Sequence, residues 1–143
     1  MSILLLWGPL LILLGIATYT DLKWRIIPDE LIWVGSIYYL LLRLFYSDHP
    51  YVYYLFGFLV GAGVLYTFTV IVPGAFGGGD IKLLAVVGAA IGWQESIIFL
   101  MILLGTAGLF AIGKILISGN RNTQVPLAPF FLISYILLYV SQK

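Results

Sequence analysis

Six apolar stretches, at 3–19, 31–46, 51–72, 81–92, 96–117 and 126–140, alternate with short polar breaks along the chain. Most approach the ~20 residues that a helix needs to cross a bilayer. The fourth is short, roughly 18 Å at 1.5 Å per residue, so it tilts little, thins the bilayer locally or stops partway. The first lacks a basic leading region and a small-x-small cleavage site before Asp21, and reads as a retained helix rather than a signal peptide. Pro28 precedes the second stretch, Asp48-His49-Pro50 forms a turn after it, and Pro73 with Gly74 closes the third. Gln94 and Glu95 mark a short loop before the fifth, and Asn120 to Asn122, between Gly119 and Gln124, a polar turn before the sixth. The pattern predicts an all-α integral membrane protein, a bundle of about six transmembrane helices.

Composition narrows the chemistry. The 143 residues are 62% hydrophobic and 9% charged, too apolar for an ordinary soluble surface, and leave room for a single membrane domain over 1–143. A net charge of +1 gives no sign of a nucleic-acid partner. The chain has no cysteine and one histidine, His49. Disulfides, thiolate metal sites and a cysteine nucleophile are excluded, a histidine-rich metal site or a Ser-His dyad is unsupported, and no metal or cofactor is called for. Carboxylates remain.

The cations set orientation. If all six stretches span, Lys23, Arg25, Lys82, Lys114 and Arg121 share one face against Arg43 and Lys143 on the other. If the fourth does not span, the tally evens to four against three. The six-span arrangement puts both chain ends outside and both Asp21 and Asp80 at the cytoplasmic face. Arg43 is expected to snorkel to the outer interface. Trp7, Trp24, Trp33 and Trp93, with Tyr51, Tyr53 and Tyr54, read as interfacial anchors. Close-packing faces are expected at Gly57 and Gly61, at Gly88, Ala89 and Gly92, and at Gly105 and Gly108, serving the bundle or a homo-oligomer.

Asp21 and Asp80 stand out because each ends or opens an apolar stretch, where a carboxylate is costly. Asp21 closes the first helix, at the negative end of the macrodipole, a placement that suits a carboxyl holding a proton; its plain alternative is an interfacial ion pair with Lys23 or Arg25. Asp80 follows Gly77-Gly78-Gly79, whose freedom of backbone would aim it, and its plain alternative is the N-cap of the fourth helix. No Gly-Lys-Ser/Thr follows the glycines, so a phosphate cradle is not indicated. Asp29 and Glu30 complement the dipole of the second helix. Two carboxyls that meet can activate water. The alternatives are a small proton-coupled transporter or a structural membrane subunit, with the two aspartates as relay or caps.

Three segments in order resemble the type IV prepilin peptidases. They are Asp21 with Lys23, Arg25, Ile26, Ile27 and Pro28; Gly77-Gly78-Gly79-Asp80-Ile81-Lys82, resembling the GxGD segment of that aspartic protease family; and Val125-Pro126-Leu127-Ala128-Pro129-Phe130. The resemblance implies a membrane aspartic endopeptidase with Asp21 and Asp80 catalytic, Gly77 and Gly79 shaping the loop, and Lys82 and Pro28 as accessory candidates. It implies cleavage of the short basic leader of prepilin or pseudopilin precursors, after a glycine, at the cytoplasmic face of a prokaryotic plasma membrane. Many relatives carry a cysteine-rich zinc domain for N-methylation in the first loop. That loop is short here and cysteine is absent, so a compact, peptidase-only member is expected. Position 29 is Asp where many relatives have Asn.

Overall fold

A computed structural model of the chain describes residues 3–74, 76–118 and 126–141. Among them run six helices: α1 (Ile3–Trp24), α2 (Asp29–Phe45), α3 (Tyr51–Ile71), α4 (Gly78–Ile91), α5 (Trp93–Ser118) and α6 (Ala128–Ser141). The polar turn at residues 119–125 lies outside the described residues. Three helices are long and apolar enough to cross a membrane: Leu5–Trp24, Tyr51–Ile71 and Trp93–Ile117. The protein is an all-α membrane protein.

The short helix α4 is the axis of the bundle. Leu83, Leu84, Val86, Val87 and Ala90 are all buried, between α2, α3 and α5. At 14 residues it is roughly 21 Å long, below the usual spanning length. Enclosure explains how it can be: its neighbours, not its own length, keep lipid away from its ends. The expected glycine faces of α3 and α4 meet each other. A Cβ on Gly57 would strike the carbonyl of Gly88, one on Gly88 would strike that of Gly57, and one on Gly61 would lie 2.6 Å from Leu84 O. This pairing is antiparallel and fixes a register. Carried along the two helices, it sets Asp80 level with about Leu65, some six residues before α3 ends, roughly 9 Å. The third expected face does not pack: a Cβ on Gly105 or Gly108 would meet nothing within 4 Å.

Helix α1 packs on α6 and α2 and carries a proline in its interior, Pro9. Proline has no N–H, so the carbonyl of Leu5 loses its helical partner. The Tyr38 hydroxyl donates to that oxygen at 2.8 Å, while Tyr39 donates to Leu6 O at 3.0 Å and Tyr135 to Trp7 O at 2.6 Å. Trp7 is therefore buried, against Tyr135 and Tyr139, and is not the interfacial anchor expected.

Arg43 also departs from expectation. It is buried in place of snorkelling outward, and its guanidinium donates to the carbonyl of Ala90 in the last turn of α4, with Nε at 3.1 Å. Tyr54 lies under it, 4.0 Å from Cζ to the ring centre, so this tyrosine is buried too. Asp48 approaches at 3.8 Å. The physical reason is α4's shortness: its last carbonyls end inside protein, where a cation both satisfies them and complements the helix dipole. Gln94 and Glu95 fall in the first turn of α5 and not in a loop, because Gly92, at φ +89, turns the chain in one residue.

Candidate active site

At the opposite end of α4 a cleft of about 630 Å³ opens. Its walls are the last turn of α1, the connection at 25–28, the first turn of α2 and the glycine loop, and both Asp21 and Asp80 line it.

Asp21 lies in the last turn of α1, which ends because Arg25 adopts φ +55 and its N–H closes on Asp21 O at 2.9 Å. A non-glycine residue in this region carries modest strain. The turn sends residues 26–28 across the cleft, and Pro28, at φ −61, starts α2. The Asp21 side chain is buried, and its Oδ2 accepts the N–H of Ala128, the first residue of α6, at 3.0 Å. One turn earlier, Thr18 Oγ1 lies 3.0 Å from Ala128 O, so α1 brackets this residue from both sides. A free N–H at a helix start is complementary to a carboxylate. The N–H at the start of α6 thus faces the same carboxyl as the negative end of α1. Lys23, a partner in the plain reading of Asp21, turns instead to Tyr19 and Trp24.

Asp80 is not the N-cap of α4. The cap is Gly77, the helix begins at Gly78, and Asp80 occupies the third helical position with its Oδ2 accepting the Gly77 N–H at 3.2 Å. It stands just ahead of the apolar run that begins at Ile81. Burial, and then the nearby charge of Asp21, push its pKa up to about 6, while the Gly77 N–H pulls more weakly the other way. Two carboxyls sharing a site resist joint ionisation, and they titrate as a pair.

The glycines act by closeness rather than by unusual backbone angles. Gly77 has φ −74 and ψ 149, which any residue adopts, and of the described glycines only Gly74 and Gly92 have positive φ. A Cβ on Gly79 would sit 3.0 Å from Ile27 Cβ, and one on Gly77 3.1 Å from Asp80 Oδ2; one on Gly78 would meet nothing within 4 Å. So the loop presses α4 against the connection that follows Asp21.

Lys82, one turn of α4 inward, pairs with Asp29, Nζ to Oδ1 at 2.7 Å, and both side chains are exposed. Asp29 and Glu30 also line the cleft, beyond their role at the α2 dipole. His49 lies at the other end of the bundle, in a hollow of about 150 Å³ beside Arg43 and Glu95. No group of three or more metal-binding side chains occurs among the described residues. Sequence reasoning missed the Ala128 N–H and the Ile27 contact. The first lay inside the late proline-bearing segment but is a backbone group, and the second is an ordinary isoleucine whose neighbour is 52 positions away.

The chain is similar to prepilin leader peptidase/N-methyltransferases of Aeromonas salmonicida, at 30% identity, and of Aeromonas hydrophila, at 29%. Each match takes in 90% of this chain and 48% of the relative, so the chain spans about half the length of the curated relatives it matches. No solved structure matches it. Residues 9–113, which hold both aspartates and the glycine loop, match the type IV leader peptidase family, and the chain belongs to that family.

Proposed function

We propose that this peptidase is a membrane aspartic endopeptidase that removes the short basic leader of prepilin-like or pseudopilin precursors, with Asp21 and Asp80 as its catalytic pair. One observation carries the reading: two carboxyls from different helices line one cleft, where burial and then the charge of the first raise the proton affinity of the second. Asp80, whose proton affinity burial and then the Asp21 charge raise, is the acid, and Asp21, accepting the Ala128 N–H, is the base. Asp21 takes a proton from water as the water oxygen bonds to the scissile carbonyl carbon, and Asp80 gives its proton to the carbonyl oxygen. Collapse of the tetrahedral species breaks the C–N bond; Asp21 passes its proton to the leaving amine and Asp80 recovers one from the hydroxyl. No metal or cofactor enters.

The substrate class is supported by charge and by the relatives. Asp21, Asp29 and Glu30 outnumber Arg25 on the cleft walls even with Asp80 protonated, a field that draws a cationic segment. The relatives' names describe leader peptidases of prepilins. The connection between α1 and α2 is four residues long and the chain has no cysteine, so we assign it leader cleavage without methyl transfer. We assign the cleft to the cytoplasmic face of a prokaryotic plasma membrane, a reading supported by Lys23, Arg25 and Lys82 at the end where it opens. The test is incubation of the purified protein with a pilin-like precursor, read by mass. Asp21→Asn and Asp80→Asn should each lower cleavage by at least about a thousandfold at equal membrane abundance, since base and acid cannot replace each other. Near wild-type processing by either variant sinks the pair.

A further inference from the structure

The first turn of α4 is weakly held for a segment that aims a reacting group. Three glycines precede Asp80, a Cβ on the middle one would meet nothing within 4 Å, and the Asp80 side chain accepts the N–H of Gly77 in its own loop. Gly79, Asp80 and Ile81 are half-buried, and burial is complete only from Leu83. Ile81 packs against the core, and two more specific contacts reach from this end of α4 to other elements: Gly79 on Ile27, and Lys82 on Asp29, the latter joining positions 53 apart. Asp29 is a firm post, because it is the first residue of α2 and follows Pro28, whose ring fixes φ. At the far end of the same two helices the roles reverse, and Arg43 of α2 holds Ala90 O of α4. Each helix thus sends a cation to an oxygen of the other, at opposite ends. Such a pair of ties opposes both rotation and sliding of α4 against α2.

We propose that the Lys82–Asp29 ion pair is a positioning device for the reaction, setting the rotation and depth of the first α4 turn so that the Asp80 carboxyl meets Asp21 across the cleft. This rests on the catalytic reading of the two aspartates. Lys82 touches neither carboxyl of the pair in this geometry; it acts through the helix. An exposed ion pair contributes little to folding, so its removal leaves the protein intact, whereas a misplacement of about 1 Å is enough to slow a reaction severely.

The experiment is a double-mutant cycle on the full chain in lipid vesicles, with kcat and KM measured on a prepilin-like precursor. Lys82→Met and Asp29→Ala should each lower kcat by roughly tenfold or more. For Lys82→Met KM should change less than about twofold, which a loss of substrate binding would not give. The double variant should be no slower than the slower single, because the second change removes nothing further. Lys82→Arg, which keeps a donor for Asp29, should recover most of the rate. Wild-type kcat in Lys82→Met, or losses that multiply in the double variant, overturns the proposal. Asp80→Asn run alongside separates the two readings. If it cleaves normally, the catalytic pair falls whatever Lys82 does; if it is inactive while Lys82→Met is normal, only the positioning device falls.

Discussion

At the scale of single residues, Asp21 and Asp80 differ in what holds them: the first accepts the Ala128 N–H of α6, the second the Gly77 N–H of its own loop. Each was conspicuous as a carboxylate at the edge of an apolar run, a placement with few reasons to exist. What surrounds them comes from backbone atoms and distant neighbours, the Ala128 N–H and Ile27, which no side-chain pattern announces. The proton assignment follows from these surroundings and has a pH signature. Cleavage needs one proton on the pair, and Asp80, with its pKa raised to about 6, releases it as pH rises. The kcat/KM profile should therefore fall on its alkaline side from about pH 6, the free-enzyme value. A profile still flat at about pH 8 would mean that Asp80 does not carry that proton. The glycines give a second test. Gly79→Val drives methyls into Ile27, so cleavage should drop at least about tenfold with most of the protein still folded, while Gly78→Ala should cleave within about twofold of wild type. Normal cleavage by Gly79→Val would show that the close approach does not aim Asp80.

Among the elements, all six helices were read from the apolar pattern, with ends shifted by a few residues where a turn is set by one backbone angle, as at Arg25 and Gly92. The short fourth stretch was the difficult one, since a pattern of apolar residues reports burial but not what does the burying. Lipid and protein look alike to a leucine. For the same reason Gly57, Gly61 and Gly88 proved to be contacts while Gly105 and Gly108, equally small, face no neighbour within the described residues. Gly88→Leu should overpack the α3–α4 seam against backbone that cannot yield, costing about 3 kcal/mol or more. Gly105→Leu should change stability by no more than about 0.5 kcal/mol. Resistance to unfolding by sodium dodecyl sulfate in mixed micelles measures both, and equal losses would remove the distinction between the two faces.

Across the whole molecule, the charged side chains that line its two hollows gather at opposite ends of α4. The cleft end carries Asp21, Asp29, Glu30, Asp80 and Lys82; the other carries Arg43, Asp48, His49 and Glu95. Between them α4 presents buried leucine, valine and alanine, with no ionisable side chain from Leu83 to Ile91. A proton relay across the bundle would need steps there, so the transporter reading gains nothing from the geometry. One dimension of the architecture bears on how a substrate must behave. Asp80 lies level with about Leu65, roughly 9 Å short of the end of α3. An extended chain covers about 3.4 Å per residue, so a bond arriving from the rim needs about three residues of uncoiled chain to reach the carboxyls. Under the proposed function, a precursor that is helical just after the cut has to unravel there to reach the pair. Precursors with alanine in the three positions after the cut, which favour helix, should be processed more slowly than those with glycine or β-branched residues there. Equal rates across such a series would mean that the bond is met at the rim and that the depth of Asp80 asks nothing of the substrate.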